Sequence, residues 1–439
     1  MRKKNISYFC LFKPITAVKK LFLLLLILSS PLLSDSLAWG QASGVNATAH
    51  LDKPYVILIS LDGYRWDYTQ RFQPPNLLRL IEEGVQAEGL IPCFPSKTFP
   101  NHYSIATGLT PEHHGLVDNA FFDPARNATY QIRDRKVVED GTWYGGTPLW
   151  VNAEQAGMVA ASFFFVGSEA DVQGIWPSYW QKYDGSVPNA QRVAQVLDWL
   201  RLPEAQRPHL ITLYFSDMDD TGHAFGPNRD DKLQESLLAL DEILGGLFRG
   251  IQDLGLPVNT FIVSDHGMAE VPVDHFFPID PLLDEERYQV VNNGPLAHVY
   301  LRDSTDIGLV LAQLEAQEGL FQAYRRSDFP YYEGNRDDPR LGDLILLTDF
   351  PYYFSDARRL GMMRRSDNPV RGEHGFDPAH LDMHGIFYAQ GPNIQAGLTI
   401  PRFSNVHIYP LICHILDLPL PEAGIDGDFS VLAPILKKP

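Results

Sequence analysis

Three apolar runs in this sequence end on a carboxylate. Tyr55–Leu61 gives way to Asp62-Gly63, Leu210–Phe215 leads into Ser216-Asp217-Met218-Asp219-Asp220, and Asn259–Ser264 runs into Asp265-His266-Gly267. A carboxylate placed straight after a buried run lies unpaired beside apolar neighbours unless a charge or donor meets it. Histidines stand close by: His266 follows Asp265, His223 lies four residues after Asp219, and His374 sits between glycines in Gly372-Glu373-His374-Gly375. Carboxylate and imidazole donors without thiolate suit zinc, with manganese or iron as further candidates. Six such ligands suffice for two cations with three each, leaving open positions for an in-line displacement at phosphorus.

A nucleophile for that displacement stands in the stretch Pro92–Asn119. Thr98 precedes Phe99-Pro100-Asn101-His102 and a helix-compatible run, Tyr103–Leu109. Proline suits the first turn of a helix, so Thr98 falls at or just before a helix N-terminus, where free N–H groups and the dipole attract an anion. A threonine there also serves as a plain helix cap. Beside a cation its hydroxyl would lose its proton more readily and attack, giving a phosphothreonine intermediate. The Phe99 N–H and the Asn119 side chain are the donors expected for charge on the non-bridging oxygens, although Asn119 in Asp118-Asn119 is also an ordinary turn residue. His102, His113 and His114 read as structural or exposed, and His380 and His384 fall in a proline-bearing loop.

The elements that must position these groups alternate. Tyr55–Leu61, Val85–Ile91, Val159–Val166, Leu210–Phe215, Asn259–Ser264 and Gly385–Ala389 read as strands, with Ala297–Leu301 and Leu344–Leu347 weaker. Asn76–Glu83, Asn189–Leu200, Asp230–Leu254 and Val406–Leu416 have helical spacing. Phe121–Tyr183 is rich in aromatics, Gly and Pro and reads mostly as loops walling a cleft; the charged region Tyr324–Arg371 reads as an exposed insertion. Strand–helix alternation predicts an α/β fold: a mostly parallel central sheet with helices on both faces. One large domain over 50–439, with insertions around 120–188 and 270–372, accounts for the length.

Residues 1–42 read as a cleaved leader, basic and then apolar over Leu21–Leu28, which is short for a membrane span. Export to periplasm, cell surface or medium follows. Without the six basic residues and Asp35 of that leader, 30 Lys and Arg face 53 Asp and Glu, a net charge of −23. Such a surface excludes tracking along a nucleic-acid duplex, whereas a small anion can bind where cations reverse the local sign. Only Cys93 and Cys413 remain, so the chain is no disulfide scaffold; a single bridge and two buried thiols are both compatible with it. Nothing in the sequence specifies an oligomer.

The segments ISLDGYRWDY (59–68), FPSKTFPNHYSIATGL (94–109), HGLVDN (114–119), SDMDDTGHAFGP (216–227), VSDHGM (263–268) and HGFD (374–377) resemble the nucleotide pyrophosphatase/phosphodiesterase family of the alkaline phosphatase superfamily. The resemblance implies an alkaline-phosphatase-like fold and two zinc ions, one on Asp62, Thr98, Asp265 and His266 and the other on Asp219, His223 and His374. It further implies that Thr98 is the nucleophile, that Asn119 contacts a phosphate oxygen, that Phe99 stacks on a base, and that Tyr214 belongs to the substrate pocket. One departure stands out: the family's Pro-Asp is Met218-Asp219 here, with Asp217 and Asp220 adjacent, and the spacing to His223 selects Asp219. The expected substrates are nucleotide phosphodiesters or pyrophosphates. A choline-headgroup or phospholipid-type phosphodiesterase is the alternative, and a non-catalytic exported binding protein a third reading. A sulfatase needs Cys or Ser at position 98, and a monoesterase usually adds positive donors, whereas Arg65 is the one arginine in these segments.

Overall fold

The computed structural model describes residues 40–41, 44–317 and 319–438. The leader read at 1–42 lies outside the described residues, apart from the backbone of Gly40–Gln41. Nine strands build the central sheet: β1 (Gly40–Gln41), β2 (Tyr55–Leu61), β3 (Val85–Ala87), β4 (Ala160–Phe163), β5 (Tyr179–Gln181), β6 (Leu210–Phe215), β7 (Val258–Val263), β8 (Phe387–Gln390) and β9 (Leu398–Ile400). Their order across the sheet is β1-β5-β4-β6-β2-β7-β8-β3-β9. From β5 to β7 all pairings are parallel, as is β3 with β9; β1 and β8 run against their neighbours. The mostly parallel sheet expected from the alternation is present.

Side-chain alternation explains why helices cover both faces. All seven residues of β2 are buried. Val56 and Leu58 join one apolar cluster, while Tyr55, Ile57, Ile59 and Leu61 join another. The second cluster is closed by α1 (Pro75–Glu82), α3 (Asn189–Leu200) and α5 (Asp230–Leu254), and the first by α2 (Thr98–Thr107) and α6 (Ile408–Leu416). A strand buried on both faces reads as a nearly continuous apolar run, and β2 reaches its first charged side chain only where it ends. Register pairs Leu61 with Phe215 and Ser60 with Val263, so β6, β2 and β7 stop at one level. There they open the crevice in which open parallel sheets bind ligands. α4 (Asp217–Phe225) starts directly beyond β6.

The sequence reading needs amendment in three places. The strand expected over Val85–Ile91 is split: β3 stays in the central sheet, and Leu90–Ile91 pairs instead with Phe403–Ser404. The Phe121–Tyr183 region is less irregular than expected, holding the hairpin Ala120–Asp123/Ala128–Gln131, the helix Leu149–Gln155 and β5 as well as β4. Residues 324–371 are not simply an exposed insertion. Leu344–Thr348 forms a four-stranded antiparallel sheet with Tyr288–Asn292, Leu296–Leu301 and Phe321–Arg325, around its own core of Ala297, Val299, Val310, Leu314, Leu344 and Leu346. Beyond it, Val370–Glu373 pairs with Ala269–Pro272. That ladder brings His374 back beside His266, more than a hundred residues earlier. Cys93 and Cys413 are both buried free thiols.

Candidate functional site

Each of the three strand-end carboxylates is fixed by local chain geometry. Asp62, 1% exposed, follows β2 and precedes Gly63, whose φ is 63°. A Cβ on Gly63 would fall 2.8 Å from the Asp219 Cα, so the missing side chain lets α4 close over the end of β2. On α4, Asp219 and His223 stand one turn apart, with Nε2 3.4 Å from Oδ1. The flanking acids are used elsewhere: Asp217 accepts from Asn189 and Asp220 from Ser216. Asp219 is therefore the one facing the crevice, as the spacing to His223 indicates. Asp265 Oδ1 accepts the Gly63 N–H at 3.2 Å, and its Oδ2 lies 3.0 Å from His266 Nε2.

Thr98 is the first residue of α2, after Lys97 in an extended conformation. Its Oγ1 lies 3.3 Å from His266 Nε2, which is itself 3.5 Å from Asp62 Oδ1. His374 Nε2 is 3.8 Å from Asp219 Oδ1, and the His266 and His374 rings stack at 3.6 Å. All seven expected metal-site residues thus meet in one place. Donor atoms of Asp219, His266 and His374 lie within 4.8 Å of one another, as do those of Asp62, His102 and Asp265. His266 stands between the two groups.

The three expected ligand histidines share one device. Nδ1 of His223, His266 and His374 donates to the carbonyl of Gly372, Gly267 and Ser96 respectively, at 2.7 to 2.8 Å. A backbone bond at Nδ1 fixes the tautomer and leaves the Nε2 lone pair to face inward, the arrangement by which proteins orient metal-binding imidazoles. The carboxylates complete the case. Asp62 Oδ1, Asp219 Oδ1 and Asp265 Oδ2 are buried and accept no hydrogen bond. Burial, and then the neighbouring Asp265 and Asp219, push Asp62 well above the usual carboxylate range. Burial likewise raises Asp219. Burial also acts to raise Asp265, but His266 and His102 hold it well below. Burial, aided by His266, Lys97 and His223, holds His374 well below the usual imidazole range. Crowded like charges with unpaired oxygens are costly without a counter-charge. The donor set fits zinc.

The remaining residues surround this centre. Asn119 Oδ1 accepts the Phe99 N–H at 3.0 Å, which engages the backbone donor expected for phosphate and turns the Asn119 amide nitrogen outward. Phe99 is half-buried and meets Tyr130 edge-on at 6.4 Å. Tyr214, expected in the substrate pocket, has a contact the sequence did not suggest. It is buried, and its hydroxyl donates to Asp62 Oδ2 at 2.6 Å from the adjacent strand. His102, read as structural or exposed, is fully buried in the site: Nδ1 donates to the Thr98 carbonyl and Nε2 meets Ser60 Oγ. With both nitrogens engaged it orients its neighbours. Its position four residues after Thr98, on the same helix face, was the available signal.

Thr98, Asn119, Asp219, His223 and His374 line a cleft of about 650 Å3 whose other wall includes Asn293, Tyr353, Arg359 and Glu373. Asn293 holds both backbone groups of Ala120 (3.0 and 2.8 Å), and the buried pair Asp118–His298 (3.3 Å) lies behind Asn119. Asp118 also accepts the Asn119 N–H at 2.7 Å. Lys97 enters the cleft too; burial lowers its pKa against the pull of Asp118 and Glu373. Sequence reading missed Lys97, Asn293 and His298.

Residues 56–377 match the family described as type I phosphodiesterase/nucleotide pyrophosphatase. Human ectonucleotide pyrophosphatase/phosphodiesterase family member 1 is 31% identical over 407 residues, covering 89% of this chain and 43% of that protein. Family member 5 from Homo sapiens is 30% identical over 370 residues, 84% of this chain and 75% of that protein. A venom phosphodiesterase of Crotalus durissus collilineatus is 32% identical over 413 residues, 91% and 48% respectively. The chain thus spans less than half the length of the first and third of these. Among solved structures, inactive murine ectonucleotide pyrophosphatase/phosphodiesterase 5 in complex with AMP superposes with a TM-score of 0.80 at 27% identity, covering 88% of this chain and all of that one.

Proposed function

Because the chain belongs to the type I phosphodiesterase/nucleotide pyrophosphatase family, we propose that it is an exported two-zinc enzyme hydrolysing nucleotide phosphodiester or pyrophosphate bonds to nucleoside monophosphates. The observation that carries this reading is the Thr98 hydroxyl, at the start of α2 and 3.3 Å from an imidazole Nε2, beside three buried carboxylate oxygens that accept no hydrogen bond. Support for a nucleotide comes from the AMP bound to the murine relative, whose inactive form carries a threonine-to-alanine change. Among the described residues no helix is long and apolar enough to cross a membrane. Relatives named as ecto-enzymes and venom enzymes fit an exported protein.

Asp62, Thr98, Asp265 and His266 would hold one zinc and Asp219, His223 and His374 the other, supplying positive charge that acidifies the threonine hydroxyl and offsets the phosphate oxygens. Thr98 Oγ attacks the phosphorus as its proton departs, the bond to the leaving oxygen breaks, and the nucleotide is left esterified to Thr98. Attack by water on the same phosphorus then restores the hydroxyl and frees the nucleoside monophosphate. Asn119 presents its amide nitrogen to a non-bridging oxygen. Tyr214 turns Asp62 so that its free oxygen faces the site, and His102 holds the first turn of α2 through the Thr98 carbonyl. Phe99 offers a flat surface to the base.

The test is a substrate panel on zinc-replete protein and on its Thr98→Ala variant. Nucleoside triphosphates and nitrophenyl esters of nucleotides should be hydrolysed, and the variant should lose roughly three or more orders of magnitude while melting normally. Turnover of choline phosphodiesters alone would reject the nucleotide reading, and a variant with ordinary rates would remove Thr98 from the chemistry.

A further inference from the structure

β2 is apolar from Val56 to Leu61 with one exception. Ser60 is fully buried, and its hydroxyl lies 2.7 Å from His102 Nε2. On the other side of that ring, Nδ1 lies 2.8 Å from the Thr98 carbonyl oxygen and 3.3 Å from Asp265 Oδ2. Phe165 and Tyr214 meet the ring in T-shaped contacts, with centroids at 5.3 and 5.4 Å. One imidazole thus joins three of the elements that build the site: the end of β2, the first turn of α2 and the carboxylate beyond β7.

A carbonyl and a carboxylate only accept, so Nδ1 has to carry a proton. In the neutral ring Nε2 is then a lone pair, and away from water it needs a donor. Among the described residues Ser60 supplies the one donor to it. An apolar side chain at position 60 would strand that lone pair. The opposite tautomer is no remedy, because its Nδ1 lone pair would face the Thr98 and Asp265 oxygens. We propose that Ser60 is a positioning residue for the attack by Thr98. By occupying Nε2 it keeps the His102 proton on Nδ1, where it ties down the Thr98 carbonyl and sets the first turn of α2 against Asp265. The Thr98 hydroxyl is thereby aimed at the phosphorus. Ser60 does not line the cleft, so its effect has to pass through His102. This rests on the reading of Thr98 as the nucleophile and adds to it the group that aims it.

The experiment measures kcat and KM of the zinc-replete enzyme on the nitrophenyl ester of a nucleoside monophosphate. The variants are Ser60→Ala, Ser60→Thr, His102→Phe and the combination of Ser60→Ala with His102→Phe. Ser60→Ala should lower kcat roughly 10- to 30-fold with KM within about twofold, since a small displacement of the nucleophile falls on the chemical step. Ser60→Thr keeps the hydroxyl and should recover to within about threefold of wild type. In the His102→Phe background the serine has nothing to act through, so adding Ser60→Ala should change kcat by less than about twofold. A serine that serves only the fold gives another pattern: a lower melting temperature, kcat unchanged where the protein is folded, and effects that multiply in the double variant. That pattern, or a rise in KM with kcat intact, overturns the positioning role and leaves the nucleophile reading standing. Should Ser60→Ala not fold, Ser60→Cys, near in size but a weaker donor, replaces it with a loss expected in the same direction. A Thr98→Ala enzyme with ordinary rates overturns the nucleophile reading and the positioning role with it.

Discussion

The crevice at the ends of β2, β6 and β7 and the wall supplied by residues 292–359 both bury polar side chains, but they treat them differently. In the crevice, three carboxylates crowd together and each keeps one oxygen without a donor. Along the part of the wall that holds the Asn119 turn, every polar group has its partner: Asn293 on Ala120, His298 on Asp118, and Tyr300 on the Phe122 N–H. Underpaired charge destabilises a fold unless a ligand completes it, whereas satisfied polar pairs hold a shape. The crevice is arranged to receive cations and a phosphate. The wall is arranged to keep Asn119 where they arrive. Substitutions in the two regions should accordingly trade activity against stability in opposite proportions.

Asp62→Asn should give the largest separation. The change is isosteric, removes one of three crowded charges and spares the oxygen that accepts from Tyr214. In zinc-replete protein, hydrolysis should fall by roughly three orders of magnitude or more, with lower zinc content, because a ligand is gone. After chelation the order of stabilities should reverse: the variant should melt at or above the wild-type temperature, since asparagine relieves repulsion among Asp62, Asp265 and Asp219. A wild type that keeps its activity and melting temperature in chelator would contradict the account of the crevice.

His298→Ala should show the opposite pattern. His298 and Asp118 are both fully buried, and His298 also bonds the Leu341 carbonyl at 3.0 Å. Truncation strands the Asp118 carboxylate and should cost roughly 3 kcal/mol in denaturant unfolding. Hydrolysis at a temperature where the variant is folded should fall only about tenfold, the effect of a loosened phosphate-oxygen contact. Zinc content should not change. A loss of activity as large as that of Asp62→Asn, with stability intact, would mean that the wall takes part in the chemistry directly.

The same contrast explains what the sequence revealed. Asp62, Asp219 and Asp265 were legible because an apolar strand leaves a carboxylate at its end few explanations; strand register brings Asp62 and Asp265 together, and α4 carries Asp219 over the same edge. The i, i+4 spacing of Asp219 and His223 needed only a helix. His374 was legible by family resemblance and its flanking glycines, since its place depends on a ladder between residues far apart in the chain. Asn293 and His298 gave no signal: their work is to reach the loop at 118–120, across more than 170 residues, and no local pattern encodes that partner. Tyr214 was singled out for the substrate pocket, and its bond to Asp62 was not foreseen. Its register opposite Ser60 places it beside Asp62, a fact of sheet pairing that one strand cannot disclose. Lys97 hid in plain view beside Thr98, since a lysine before a helix reads as solvent-exposed until its burial is seen.

Asn293→Ala is the smallest change that still tests the division. Asn293 accepts the Ala120 N–H at 3.0 Å and donates to the Ala120 carbonyl at 2.8 Å, clamping the residue after Asn119. Both residues line the cleft, so water can replace the lost side chain. The stability cost should therefore stay near 1 kcal/mol, well below that of His298→Ala. The looser turn should let Asn119 wander from its bond to the Phe99 N–H, lowering kcat by roughly threefold to tenfold with little change in KM, because the lost contact is one that strengthens in the transition state. Should KM rise instead while kcat holds, Asn293 would be binding substrate itself, and the boundary between the reacting crevice and its supporting wall would have to be drawn one residue further out.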